Sequence, residues 1–217
     1  MSRVRVHNFS MSLDGFATGE GQSLETPFGH AGHRLHEWMI ATRFAQREIF
    51  GESGGTEGVD NAMAERNGPG VGAEIMGANK FGPPGWQDDP GWRGWWGDNP
   101  PFHTPTFVLT HRPKPPLVMD GGTTFHFLDA TPPEALDVAR EAAREAAAGQ
   151  DVRIGGGPTV VRSFLAAGLV DFLHVVQVPI LLGRGVRLWD GLEGLEQQYT
   201  VEAFTPPSGV IHLTFTR

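Results

Sequence analysis

Three consecutive glycines between a β-branched stretch and an amphipathic stretch are the residues of this sequence best suited to holding a ligand. Val152 and Ile154 lead into Gly155–Gly157, and Pro158 follows directly. Apolar residues then recur at helical spacing, at Val160, Val161, Phe164 and Leu165. The pattern predicts a strand, a glycine turn and a helix, with Pro158 in the first helical turn and Gly168 at the end of the helix.

A glycine turn at the start of a helix allows two interpretations. Backbone N–H groups at the positive end of a helix, with no side chains in the way, suit a nucleotide diphosphate. The same sequence also suits a tight strand-to-helix turn that binds nothing, because a glycine cluster by itself is not specific.

Asp14 is the acid best placed for proton transfer. It follows a predicted strand that starts at Val4, and it precedes Gly15. A carboxyl group at the end of a strand can serve as a general acid or base, but Asp-Gly is also a turn signal. We keep both interpretations.

Two further patterns resemble catalytic motifs. Gly51-Glu52-Ser53-Gly54-Gly55 matches the serine-hydrolase elbow in its letters, but a helical pattern precedes it where a strand is required. His30, His33 and His36 are spaced three apart, yet that spacing does not put all three on one helix face. We therefore expect a flexible loop at Ser53, ordinary loop histidines and no metal site.

Composition excludes several classes of function. The 217 residues carry a net charge of −8 and no cysteine. These features argue against nucleic acid or an anionic membrane as the main partner, and they exclude disulfides and thiolate chemistry. The first residues read as a strand rather than a signal peptide, and no apolar run is long enough for a membrane span. A cytoplasmic location is the expectation.

The order of elements predicts the fold class. Strands alternate with helices through the middle of the chain, including helices at about 34–50 and from a capping box at Thr131 to about Ala148, where Gly149 ends it. Residues 199–204 and 210–216 predict a closing antiparallel pair. We expect a single α/β domain over 1–217, with a mixed, mainly parallel sheet and helices on both faces. Four stretches that follow strands are candidates for one shared cleft: 12–17, 77–80, 110–112 and 155–159.

A tryptophan-rich insertion at about 83–105 interrupts this pattern. It contains Trp86, Trp92, Trp95 and Trp96 among prolines, glycines and acids. Such a long loop is often a lid or a binding loop. Its indole rings either wall a pocket for a flat substrate, with Trp92, Trp95 and Trp96 as the candidates, or are buried against the body of the protein or a second subunit.

The motifs, taken in order, resemble the dihydrofolate reductase-like superfamily. The resemblance is closest to the C-terminal reductase domain of the bacterial bifunctional riboflavin-synthesis deaminase-reductase. The motifs that carry it cover most of the chain: Ser12-Leu13-Asp14-Gly15, Ile75-Met76-Gly77, Val108-Leu109-Thr110, Ile154-Gly155-Gly156-Gly157, Gly168-Leu169-Val170-Asp171 and Val178-Pro179-Ile180-Leu181-Leu182-Gly183-Arg184-Gly185.

This resemblance implies an NADPH-dependent reductase that forms a homodimer. It implies that Ser10 and Ala17 lie beside the nicotinamide and that Gly77 faces the cofactor phosphates. Leu109 and Thr110 would flank the adenine ribose, with His111 or Arg112 near a 2′-phosphate. The diphosphate would lie on five residues of the glycine turn, namely Gly155, Gly156, Gly157, Pro158 and Thr159.

Two departures from the family pattern bear on the ligands. Members often carry an arginine directly after the glycine of the Met-Gly element, where this chain has Ala78, so Asn79 and Lys80 are the candidates to replace it. The substrate-phosphate loop of riboflavin-pathway reductases has no counterpart between Thr18 and Arg43. We therefore expect an NAD(P)H-dependent reductase of another small, flat heterocycle resembling a pterin, pyrimidine or flavin. The alternative is a non-catalytic nucleotide- or flavin-binding protein on the same fold.

Overall fold

The computed structural model describes residues 2–146 and 150–217. Contacts divide the chain into two compact units. Unit 1 contains the residues up to Val6 together with Gly70–Asp171, and unit 2 contains His7–Pro69 and Phe172–Arg217. We describe each unit by itself.

The described residues form eleven strands, six α-helices and four 3₁₀ turns. The strands are β1 Val4–Ser12, β2 Phe16–Thr18, β3 Val71–Gly77, β4 Pro105–Leu109, β5 Leu117–Val118, β6 Thr124–Leu128, β7 Asp151–Gly156, β8 Phe172–Val178, β9 Val186–Arg187, β10 Thr200–Phe204 and β11 Ile211–Thr216. The α-helices are α1 Glu37–Ile40, α2 Arg43–Glu48, α3 Val59–Glu65, α4 Ala78–Phe81, α5 Pro132–Ala146 and α6 Pro158–Ala166. The 3₁₀ turns are Gly32–Leu35, Trp86–Asp88, Asp120–Gly122 and Leu195–Gln198.

Unit 1 is a mainly parallel sheet with helices packed on it. Its strands lie in the order β7-β3-β4-β6-β5, and the start of β1 pairs beside β7. All of these neighbours are parallel except β5 and β6. Helix α5 packs along β3, β4 and β7, and α6 packs against β7 and β3. The carboxyl ends of the parallel strands therefore meet along one edge.

An aromatic core fills one side of unit 1. Phe81 from α4 lies edge-on to Trp86, Phe125 and Phe127. The ammonium group of Lys114 lies 4.8 Å from the ring centres of both Trp86 and Phe127. This cation sits over the indole that begins the tryptophan-rich insertion.

Unit 2 is built on antiparallel strands, with β11 between β10 and β8, and with β2 paired to β9. Leu35 and Trp38 pack into its core with Val176 and Val178. The predicted helix over 34–50 is wrong, because the structure breaks it into a 3₁₀ turn, α1 and α2. The break lies at Thr42, whose extended backbone and side-chain bond from the N–H of Ala45 start a new helix.

The remaining element predictions fare better. The mixed, mainly parallel α/β fold with a C-terminal antiparallel pair is confirmed. Glu134 forms its half of the capping box, since its carboxylate accepts hydrogen bonds from the N–H and the hydroxyl of Thr131. The predicted stop at Ala148 and Gly149 lies outside the described residues. The assignment of 1–217 to one domain stays a prediction.

Removing the cation beside the insertion should destabilise the protein. We expect Lys114→Met to lower the free energy of unfolding by about 0.5–2 kcal/mol, because a cation over aromatic faces is worth about that much. Urea denaturation followed by tryptophan fluorescence measures the change. Lys114→Arg keeps a cation over the rings and should unfold near the wild-type midpoint. Equal stability of the Met variant and the wild type would show that the charge does not hold the insertion.

Candidate active site

The structure has the predicted strand, glycine turn and helix. Strand β7 ends at Gly156, and α6 begins at Pro158 after Gly157, which has no side chain to cap the helix. Gly156 has a φ of 112°, a conformation that glycine adopts without strain. Of the described residues, none would come within 4 Å of a Cβ added at Gly157. The turn is therefore open at the start of α6.

A buried ion cluster lies directly beneath this turn. Glu74 is fully buried and accepts a 2.9 Å hydrogen bond from Nε of Arg153 and a 3.1 Å bond from Nζ of Lys80. Lys80 also donates to the carbonyl of Gly155 at 2.6 Å. A Cβ at Gly155 would overlap the Glu74 carboxylate, so this position requires glycine for packing.

The charges of the cluster stabilise one another. Burial by itself would raise the pKa of Glu74, but the charges of Arg153 and Lys80 hold that pKa below its ordinary value. Burial lowers the pKa of Lys80, and the Glu74 carboxylate opposes this shift. The Glu74 carboxylate is therefore shared between two cations, and one of them, Lys80, also contacts the turn.

A groove of about 480 Å³ opens at the strand ends of unit 1. It is bounded by the residues that follow β4 and β6, by Ala78 at the start of α4 and by Val160 and Ser163 of α6. Gly77 allows α6 to come close, because a Cβ there would lie 2.9 Å from Val160. A groove beyond the carboxyl ends of parallel strands is the usual ligand position in such sheets.

The groove brings together several of the predicted cofactor residues. Leu109, Thr110 and Arg112 line it. Thr110 is buried, and its hydroxyl accepts a 3.1 Å bond from the N–H of Arg112. Asn79 is exposed on α4, while Lys80 is engaged by the buried cluster. Their roles as ligand contacts stay predictions.

The insertion packs against the aromatic core of unit 1. Trp92 donates from its indole N–H to the carbonyl of Phe81 at 3.1 Å. Trp96 packs against Phe102 and Phe125, and Trp95 lies edge-on to Trp92. This geometry favours the packing interpretation of the insertion, and contact of Trp92, Trp95 and Trp96 with a substrate stays a prediction.

Asp14, in unit 2, fastens a neighbouring loop. Its carboxylate accepts hydrogen bonds from the Ser12 hydroxyl at 2.5 Å, from the N–H of Gly183 at 2.7 Å and from the N–H of Leu182 at 3.1 Å. Burial opposes ionisation, but these bonds outweigh it and lower the pKa of Asp14 to about 2. An acid with that pKa is ionised at neutral pH, which weighs against Asp14 as a proton donor.

Ser10 and Ala17, predicted to lie beside the nicotinamide, are both buried in unit 2. The Ser10 hydroxyl accepts a 2.9 Å hydrogen bond from the indole of Trp38. Trp38 is therefore a positioning residue for Ser10 that sequence reasoning missed, since 28 positions separate them.

Unit 2 also contains a buried histidine chain that no sequence pattern announced. The N–H of Asn8 donates to Nδ1 of His174, so Nε2 of His174 carries the proton shared with Nδ1 of His212. Nε2 of His212 then donates to Asp60 at 2.8 Å. Burial lowers the pKa of His174 to about 3, with help from the nearby His212, so His174 is neutral.

Comparison with known proteins identifies the family. The family model described as the RibD C-terminal domain matches residues 4–206. The chain belongs to the RibD C-terminal domain family. The resemblance drawn from the sequence motifs is therefore confirmed, and membership of this family supports an oxidoreductase. A search of curated proteins found no match.

Solved structures with a similar fold include those of the following two proteins. One is a riboflavin biosynthesis protein from Shewanella sp. PV-4, with 18% identity, a TM-score of 0.56, and coverage of 100% of this chain and 99% of the other. The second is a pyrimidine reductase-like protein from Corynebacterium diphtheriae, with 14% identity, a TM-score of 0.52, and coverage of 99% and 91%. At these identities the likeness concerns the fold.

The other catalytic patterns lack the geometry they need. Ser53 lies in an exposed bend that follows α2 rather than between a strand and a helix. Both ring nitrogens of His30 engage the backbone, of Glu20 and Leu182. Within residues 2–146 and 150–217, no cluster of three or more ligating side chains is arranged to hold a metal ion. In the same residues, no helix has the length and apolarity to cross a membrane.

Breaking the buried cluster should destabilise the family fold strongly. We expect Glu74→Gln to lower the free energy of unfolding by about 3–5 kcal/mol, because it removes the buried carboxylate charge that both Arg153 and Lys80 contact. Glu141→Gln is the matched control, since it breaks an exposed ion pair with Arg144 and should change stability little. Denaturant unfolding of both variants measures the difference, and similar losses in the two would refute the cluster's role.

Because of Asp14, the free energy of unfolding should depend on pH in the acidic range. A carboxylate whose pKa is lowered on folding stabilises the fold above its ordinary pKa of 3.8, and this stabilisation is lost as the pH falls through about 2. The stability advantage of wild type over Asp14→Asn should therefore be full near pH 5 and shrink below pH 4. Unfolding curves across this range measure it, with the exposed Asp137→Asn as the control. A pH-independent advantage would contradict the assignment.

Proposed function

We propose that this chain is a reductase that transfers a hydride from a nicotinamide dinucleotide to a small, flat heterocyclic substrate. The proposal rests on the open groove of unit 1, which reaches α6 at Val160 and Ser163, and on the uncapped start of the same helix at Gly157. Backbone donors at a helix N-terminus suit a diphosphate, and the groove gives the adenosine half a place at the strand ends.

The residues present fit such a cofactor. A Cβ added at Gly157 would meet open space, so a phosphate could approach the N–H groups of Thr159 and Val160. Leu109 and Thr110 would flank the adenine ribose, and Arg112 at the rim would face a 2′-phosphate. Lys80 would act from beneath, as a positive charge that also fixes the carbonyl of Gly155.

The cofactor supplies the hydride when it is bound, and the protein supplies orientation and exclusion of water. Ser10, held by Trp38, and Ala17 are the proposed contacts of the nicotinamide. Because Asp14 is ionised, we assign the proton that completes reduction to water, and to Asp14 the task of holding its loop.

The family and its structural relatives favour a pyrimidine-type ring as the first substrate to test. The relatives are described as a riboflavin biosynthesis protein and a pyrimidine reductase-like protein. The absence of a substrate-phosphate loop between Thr18 and Arg43 in the sequence favours a ring without a phosphoribosyl group. A cytoplasmic homodimer remains part of the proposal.

Binding and turnover test the proposal directly. NADPH and NADH are titrated against tryptophan fluorescence, and their oxidation is followed with aminopyrimidines, pterins, quinones and flavins. We expect binding below millimolar cofactor and oxidation with at least one ring. Binding without oxidation would favour the non-catalytic alternative, and no binding up to millimolar cofactor would refute the proposal.

A charged substitution at Gly157 distinguishes an effect on dinucleotide binding from an effect on folding. We expect Gly157→Asp to weaken dinucleotide binding about tenfold or more, because a carboxylate there repels the diphosphate and caps the same N–H groups. Stability should not fall, since aspartate is a favourable helix cap. Gly157→Ala is the matched control and should bind like the wild type. Equal binding by the Asp variant would exclude the turn as the diphosphate site.

A further inference from the structure

The two basic side chains of the groove already have carboxylate partners. Nη2 of Arg112 lies 2.6 Å from Oδ1 of Asp88, and Nδ1 of His111 lies 2.9 Å from Oδ1 of Asp129. Arg112, His111 and Asp129 line the groove. An anionic ligand that binds here therefore contacts basic side chains that already have carboxylate partners.

Asp88 is presented by an ordered part of the insertion. It ends the 3₁₀ turn Trp86–Asp88, and its N–H donates to the carbonyl of Gly85 at 2.9 Å. The turn is anchored by Trp86, which is 2% exposed and packs edge-on against Phe81. Gln87, the residue before Asp88, lines the groove itself. The carboxylate is therefore held at the rim by the aromatic core.

NADPH has a 2′-phosphate on its adenine ribose where NADH has a 2′-hydroxyl, so the two dinucleotides differ in charge at that position. A 2′-phosphate carries roughly −1.5 to −2 charges and binds best to an arginine that offers its whole guanidinium group. Next to Asp88 it must displace one carboxylate or lie beside it, whereas a 2′-hydroxyl meets no such repulsion. Discrimination of this kind comes from a repulsive group as much as from an attractive one.

We propose that Asp88 is a specificity-determining residue that weakens binding of the 2′-phosphorylated dinucleotide relative to the unphosphorylated one. This inference rests on the proposed function, since it requires a dinucleotide in the groove of unit 1. The tryptophan-rich insertion then has a task beyond packing, because it delivers the carboxylate that sets cofactor preference.

The dissociation constants of NADPH and NADH, measured for the wild type and Asp88→Asn, test the inference. Asparagine keeps the size and an acceptor oxygen but removes the charge. We expect NADPH to bind about fivefold more tightly to the variant, which is the scale of one exposed charge pair, and NADH to change by less than about twofold. Asp89→Asn is the matched control, since it removes the same charge one residue away, where the carboxylate bonds to the N–H of Gly91. Its ratio of the two constants should stay near that of the wild type.

The partner of Asp88 provides a second arm. We expect Arg112→Met to weaken NADPH binding more in the Asp88→Asn background than in the wild type, because only there is the guanidinium group released from its carboxylate. The gain of Asp88→Asn should also shrink as salt is raised, since the groups are exposed.

The outcomes separate the two proposals. If the wild type binds both dinucleotides and Asp88→Asn leaves their ratio unchanged, the inference is overturned while the proposed function stands. If neither dinucleotide binds to any variant, the proposed function fails and the inference fails with it.

Discussion

The buried carboxylate of Glu74 is the constraint on which the rest of unit 1 depends. It lies between Arg153 of β7 and Lys80 of α4, and Lys80 extends the connection to the carbonyl of Gly155. One side chain thus joins two parallel strands, a short helix and the glycine turn. Burying a carboxylate costs free energy unless its charged and hydrogen-bonding partners are in place. Glu74 therefore fixes the positions of Arg153 and Lys80 relative to each other.

This cluster explains why the three glycines are not equivalent. Gly155 lacks a side chain because the Glu74 carboxylate occupies the space that a Cβ would need, and Gly156 adopts a φ of 112°. Gly157 has neither constraint and faces open space. The sequence shows one run of identical letters, whereas the structure uses one residue for packing, one for chain geometry and one for access. The ligand-binding interpretation of the run therefore depends on Gly157 and the helix it precedes.

The sequence predicts a structural feature well when residues close together in the chain determine that feature. The turn and α6 follow from neighbouring residues, and the alternation of strands and helices in the middle of the chain follows from the hydrophobic pattern. The pairing of Glu74 with Arg153 spans 79 positions and leaves no periodic trace, as does the histidine chain from His174 to Asp60. The failure over 34–50 has a local cause that periodicity hides, because Thr42 fits the spacing of a helix while its side chain starts a new one. The family motifs predict which segments of the chain form the candidate site. They do not predict which residues pair with its charged side chains.

The distribution of charge at the groove bears on how a dinucleotide would be held in a chain of net charge −8. At the rim, Arg112 is paired with Asp88 and His111 contacts Asp129, while Lys80 is engaged below the turn. In the proposed site, attraction for a diphosphate would then come chiefly from the N–H groups at the start of α6. Backbone donors of this kind are fixed in direction and need no side-chain ordering when a ligand arrives. Such donors would select for the shape and position of the diphosphate, whereas the repulsion that we propose for Asp88 would act separately, at the 2′ position of the ribose.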